Sequence, residues 1–222
     1  EKNAKNQLEV GDIDWRSFKT IEDVNHKIKA NEYDIKMNPF EILDKISKSQ
    51  LTADINTYNN LLNSCYITGS FEAADKLVEE MFDFVHIQPD LSTFNILLKG
   101  ISCKIDCTTD HSEKLKLVSV MDNTLEDIKK NNNLKINLIT INTSLDILIK
   151  SGEIKRAWDL FDNMKEDYGL EPDKFSYSTI IKALKYELDS SKLERAFGIL
   201  EYLKGKSSTT SNDEIIFNCL ID

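Results

Sequence analysis

A chain of 222 residues with 41% hydrophobic and 30% charged side chains can bury a core, and its few Gly and Pro favour helices over long linkers. No apolar run approaches the roughly 20 residues that span a bilayer, and four Cys without framework spacing argue against a disulfide scaffold. The formal net charge of −10 argues against a uniformly cationic nucleic-acid binder, while leaving open how charge is distributed.

Residues 1–14 read as a polar lead that frays. The stretch Glu1–Lys5 has no initiator Met and no apolar run, so no secretory signal is expected, and the chain is expected either to have lost a targeting segment or to belong to a longer protein. Residues 15–54 read as a degenerate helix pair, with helices near Asp14–Ala30 and Pro39–Lys48.

From Ile55 the chain repeats itself. Ile55–Asp90 and Leu138–Asp173 align without a gap: Thr third (Thr57, Thr140), Asn fifth (Asn59, Asn142), Leu eighth (Leu62, Leu145) and Gly fifteenth (Gly69, Gly152). Ala follows at the twentieth place (Ala74, Ala157) and Met at the twenty-seventh (Met81, Met164), and both units close on Pro-Asp. Self-similarity over roughly 35 residues marks a stacked-repeat architecture. Such arrays are elongated binding surfaces more often than enzyme pockets.

Each repeat predicts two helices. Thr57 and Thr140 are expected to cap the first, whose apolar stripe is Leu61, Leu62 and Cys65 in one unit and Leu145 and Leu148 in the other. Gly69 and Gly152 suit a left-handed helix end. The second helix is expected over Phe71–Phe84 and Ile154–Asp167, with Ala74 and Ala157 allowing two helices to approach. Pro89 and Pro172 then stop it.

Three looser units share the same start. The unit 91–137 is longer than its neighbours, and the excess is expected as an exposed insertion at 104–114. The unit 174–213 opens with Lys174–Ser178, and 214–222 reads as the start of a truncated repeat or a capping helix.

Little in the chain carries catalytic chemistry. It has no phosphate-cradling Gly-rich loop, no HExxH and no His beside a nucleophile in a known motif. Cys103, Cys107 and His111, with Asp106 and Asp110, would share a stripe if one helix held them all, and that set suits zinc. Structural zinc sites usually draw paired ligands from distant segments, so no metal, cofactor or small-molecule substrate is expected. The chain reads as non-enzymatic, or as the binding portion of a larger enzyme.

Tyr58-Asn59-Asn60-Leu61-Leu62…Gly69…Ala74…Met81…Pro89-Asp90, and its counterpart from Ile141-Asn142, resemble the pentatricopeptide repeat family. Tetratricopeptide repeats lack the fifth-place Asn and the closing Pro-Asp. The resemblance implies an all-α fold, a right-handed α-solenoid of stacked helix-turn-helix repeats that reads single-stranded RNA at about one base per repeat. It further implies that the fifth and last residues of a repeat choose the base while the second sandwiches it. Carried over, the reading pairs are Asn59/Asp90, Asn95/Asn137, Asn142/Asp173 and Ser178/Asp213, with Asn218 opening the last unit. The family pattern reads them as 5′-U-Y-U-G-3′. The sandwiching residues are Asn56, Ser92, Ile139, Phe175 and Ile215, of which the first two are poor wedges.

The same resemblance puts the first helices on the RNA-facing side, where Lys99, Lys150 and Lys182 are expected to contact phosphate, while acid gathers on the second helices at Glu72, Asp75, Glu79, Glu80 and Asp83. It also implies a mitochondrial or other organellar setting, with no membrane contact. Asn at a fixed helix position is also a common packing residue, and Asp after Pro a common cap. A protein-interaction scaffold in a larger assembly, binding protein subunits without reading bases, therefore stands beside the RNA reading.

Overall fold

The computed structural model describes residues 17–30, 38–85, 87–186 and residue 198. The chain divides into two compact units, residues 1–104 and 105–222, and no strand occurs among the described residues. The first unit holds α1 (Ile21–Ala30), α2 (Pro39–Lys48), α3 (Ile55–Ile67) and α4 (Phe71–Glu79), which continues through a π turn at Glu80–Phe84. The boundary between units falls within α5 (Leu91–Cys107). The second unit adds α6 (His111–Lys130), α7 (Leu138–Ser151), α8 (Ile154–Asp162), α9 (Met164–Tyr168) and α10 (Lys174–Ile181), which tightens into a 3₁₀ turn at Lys182–Tyr186.

The first helix of each repeat begins the same way. Asp54 is extended (φ −109°, ψ −178°), and its carboxylate accepts from the Thr57 N–H at 2.8 Å. The Thr57 hydroxyl in turn accepts from the Asp54 N–H. Two orphan donors are thus satisfied reciprocally. Asn137 with Thr140 and Asp173 with Ser176 repeat this box, and Asp90 with Thr93 makes the same two bonds. Thr57 and Thr140 were expected as the caps. They lie three residues further in, and the cap is the closing residue of the preceding unit, whose carboxylate or amide oxygen reaches the third N–H.

The first helices also end alike. Gly69 (φ +73°) and Gly152 (φ +85°) take the left-handed conformation, and the residue after each donates five residues back, Ser70 to Cys65 and Glu153 to Leu148. The repeated sequence positions are the buried ones: Leu62, Leu145, Ala74, Ala157, Met81 and Met164 have no exposed surface. In the first unit α1 packs on α3 and α3 on α4, around Val24, Ile28, Ile42, Ile46, Leu61, Leu77 and their neighbours. The helices Ile21–Ala30 and Pro39–Lys48 are therefore continuous with the core of the first clear repeat. In the second unit α7 packs against α6, α8 and α10. Phe161 stands edge-on to both Trp158 and Tyr177.

The excess length of 91–137 is helix, which corrects the expected insertion between helices at 104–114, although most of that segment is exposed. Only Thr108–Asp110 separates α5 from α6, and Asp110 caps α6 through the Ser112 N–H at 2.9 Å. Ile101 and Ile105 are buried and carry the apolar stripe onward at helical spacing through a segment that looked polar. Lys104 there bonds Asp75 at 2.7 Å and lies 5.9 Å from the Phe71 ring centre.

Candidate nucleic-acid interface

The fifth residue of a first helix and the last residue of its unit meet directly. In the first unit Asn59 Nδ2 donates to Asp90 Oδ1 at 3.3 Å, and that oxygen also accepts from the Thr93 N–H (2.7 Å) and hydroxyl (2.9 Å). In the second, Asn142 Nδ2 donates to Asp173 Oδ1 at 3.1 Å, which accepts from the Ser176 N–H at 2.8 Å and hydroxyl at 2.9 Å. The Ser176 hydroxyl lies closer still, 2.6 Å, to Asn142 Oδ1. Cap, inter-repeat tie and candidate base reader are one pair of side chains.

The carboxylate's environment is set by these donors. Burial alone would raise the Asp173 carboxyl, but the Ser176 N–H and hydroxyl and the Asn142 amide outweigh it and hold the group below its ordinary 3.8. A charged, acceptor-only Asp fixes the amide, because a flipped Asn would set two oxygens against each other. The second N–H of Asn142 and a second lone pair on its oxygen remain. Together they form a donor–acceptor edge of the kind that pairs with a base edge.

Ile139 and Phe175, the second residues of α7 and α10, are 61% and 55% exposed. Each lies one helical turn before a reading position, Asn142 or Ser178. Lys174 sits 5.1 Å from the Phe175 ring centre. In the first unit the matching residues Asn56 and Ser92 are exposed and polar. Asn95 is half-buried on α5, and Asn137 caps α7 in the other unit. Ser178 is buried, and its hydroxyl has no partner among the described residues. Its mate Asp213, with Ile215 and Asn218, lies outside the described residues.

The expected phosphate-contacting lysines are placed unevenly. Lys150 bonds Asp106 at 2.7 Å and Asp146 at 2.8 Å. Burial would lower its ammonium, yet those carboxylates hold it raised. Lys99 is exposed and donates to Asn63 Oδ1 at 2.9 Å, and Lys182 is exposed in the 3₁₀ turn. Cys103 and Cys107 end α5 whereas His111 opens α6, so no single helix carries the three. Among the described residues no group of three or more His, Cys, Asp or Glu could hold a metal ion.

One network was missed in the sequence. Asn25 is the fifth residue of α1, and its Nδ2 donates to Asp54 Oδ1 at 2.9 Å. Asp54 accepts from the Thr57 N–H and hydroxyl, and that hydroxyl lies 2.8 Å from Asn25 Oδ1. The unit 21–54 has no Gly, and its Ala, Met and Pro do not stand at the places that mark its neighbours, so only Asn fifth and Asp last could have revealed it.

Helix pairs in which the closing Asp or Asn caps the next helix, and in which Asp54, Asp90 and Asp173 tie back to a fifth-place Asn, define a helical-repeat protein of the α-solenoid class. The PPR repeat family matches residues 53–103 and 136–186. The chain belongs to the pentatricopeptide repeat family. It is 24% identical over 177 residues to an Arabidopsis thaliana protein named pentatricopeptide repeat-containing protein At5g18475, covering 80% of this chain and 32% of that one. Pentatricopeptide repeat protein PPR10 in complex with an 18-nt psaJ RNA element superimposes with TM-score 0.69 at 16% identity, over 91% of this chain and 28% of PPR10. The PPR domain of Arabidopsis thaliana protein-only RNase P 1 in complex with tRNA superimposes with TM-score 0.57 at 14% identity, over 90% of this chain and 98% of that domain. The chain thus spans about a third of the curated relative. No helix among the described residues is long and apolar enough to cross a membrane.

Proposed function

We propose that this chain is a sequence-selective single-stranded RNA-binding module of organellar RNA metabolism, taking about one base per repeat from a site close to 5′-U-Y-U-G-3′. One observation carries the reading: the Asn142 amide, fixed by Asp173, lies beside two exposed apolar side chains, Ile139 and Phe175. A soluble surface has no use for two such side chains flanking a polar edge unless something stacks there. The RNA partners of PPR10 and of the RNase P domain agree with this reading.

The base choice follows from hydrogen-bond chemistry. Uracil offers an imino N–H beside a carbonyl oxygen, and cytosine offers the reverse order, an acceptor beside an amino group. An Asn held by Asp presents one order and selects uracil. The family pattern reads the pair Asn95/Asn137 as either pyrimidine. The module does no chemistry itself. It acts by occupancy, holding a short site single-stranded, blocking nucleases or delivering an attached domain.

The alternative, a scaffold for protein subunits, draws support from Lys150, whose charge is already spent on Asp106 and Asp146. Titrating U-Y-U-G RNA and an A-rich control at low salt separates the two. The first should bind more tightly, with a single wrong base costing about 1–3 kcal/mol, and Asn142→Ser should narrow the gap. Equal binding of both RNAs would leave only nonspecific attraction, and no binding of either would favour the scaffold.

A further inference from the structure

Three of the first helices open on an apolar side chain. Ile55, Leu91 and Leu138 are each half-buried at the first residue of α3, α5 and α7. At the same place α10 carries Lys174, which is exposed. A cation is a poor choice there, because the unpaired N–H groups of a helix start carry partial positive charge and favour an acid. No nearby acid explains it. Glu171 pairs with Lys165, and Asp173 Oδ1 is taken by Ser176 and Asn142. Among the described residues no carboxylate lies within ion-pair distance of the Lys174 ammonium. It stands instead 5.1 Å from the ring centre of Phe175, a side chain that is itself exposed. A cation beside an exposed ring gains little in water, so the fold draws small benefit from breaking the pattern of its own repeats. A local rule broken without a gain to the fold points to function.

We infer that Lys174 contacts the RNA phosphate at the step beside Phe175, between the nucleotides of units 138–173 and 174–213. The inference rests on the RNA reading above. A nucleotide offers a flat apolar face and an anion, and Phe175 with Lys174 offers a partner to each. The four-carbon stem lets the ammonium leave the ring for a phosphate without moving the helix. The two exposed stacking residues are therefore unequal. Ile139 follows apolar Leu138 and has no cation beside it in sequence, whereas Phe175 does. Lys150, the cation expected for this task in the same unit, already bonds Asp106 and Asp146. Lys174 carries no such pair, so its charge is open to RNA.

The test uses the 222-residue chain, with U-Y-U-G and A-rich RNA titrated over a range of salt. Lys174→Ala should make the slope of log affinity against log salt shallower by about 0.7, the share of one phosphate on a single strand. It should weaken both RNAs by the same factor. Lys174→Arg should keep the slope. Lys174→Glu should bind most weakly yet melt no lower than the unaltered chain, because an acid suits that helix start. A second U-Y-U-G RNA carries one uncharged methylphosphonate at its U-G step. The unaltered chain should bind it with the slope of Lys174→Ala, and the two changes together should cost no more than either alone. An unchanged slope in Lys174→Ala, with U-Y-U-G still preferred, overturns the contact and spares the RNA reading. Additive losses from the lysine and linkage changes overturn it as well, since the lysine would then act only through the general field. A loss confined to one RNA would make Lys174 a base contact and overturn the phosphate role. A lower melting temperature in Lys174→Glu would show that the lysine serves the fold, against this argument. Failure of the unaltered chain to prefer U-Y-U-G overturns the RNA reading and, with it, the placing of this contact.

Discussion

Asp54 and Asp173 each do two jobs, and one of them can be read out by acid. Burial works to raise both carboxyls, but their donors prevail and hold them below 3.8. For Asp54 those donors are the Asn25 amide, the Thr57 N–H and hydroxyl, and the Asn56 amide. A carboxyl lowered in the folded state contributes stability that is complete above its unfolded value and is lost as pH falls through the lower, folded one. Urea midpoints should therefore hold steady above about pH 5 and fall steeply below about pH 4. The double variant Asp54→Asn/Asp173→Asn keeps a good capping oxygen but cannot titrate, so its midpoint should change less over that range. An identical acid slope in the variant would mean that other carboxylates carry the effect. These roles were half legible in the sequence. Asp and Thr are both strong caps three residues apart, and nothing in the pattern says which of them precedes the first turn.

Among the helices, Tyr66 on α3 lies over Gly100 on α5. A methyl group at Gly100 would stand 2.3 Å from the Tyr66 ring, so Gly100→Ala should destabilise the fold by about 1–3 kcal/mol through overpacking. Adding Tyr66→Leu should recover part of that loss, and simple additivity of the two variants would argue against the contact. Helix pairs could be read from the sequence wherever Gly, Ala and Met recur, because those residues mark a left-handed end, a close approach and a buried filler. Where they are missing the periodicity alone had to serve. It sufficed for the helices of 21–54, though not for the Asn25–Asp54 tie, and it failed at 104–114, where polar Lys104 and Asp106 masked the buried Ile105. That error came from weighting composition over the helical stripe.

For the whole molecule, the net charge of −10 sets the question of how the proposed RNA would be held. Each phosphate neutralised on a single strand contributes about −0.7 to the slope of log affinity against log salt. Lys99 and Lys182 are exposed, whereas Lys150 is tied into Asp106 and Asp146. The slope should accordingly be shallow, about −1 to −2. Lys182→Ala should reduce it, and Lys150→Ala should leave it unchanged while lowering thermal stability slightly, as loss of a half-exposed ion pair does. A steep slope that Lys150→Ala flattens would show that RNA displaces those carboxylates.

Because the last residue of a unit must also start the next helix, the vocabulary of such a chain is restricted by its grammar. Asp, Asn, Ser and Thr can stand at that place, since each offers an oxygen to the third N–H, and a residue without one would forfeit about 0.5–2 kcal/mol of helix start. Respelling one letter by exchanging Asp173 for Asn, or Asp90 for Ser, leaves the fold its punctuation. New letters drawn from outside that set would be written at the cost of the page that carries them.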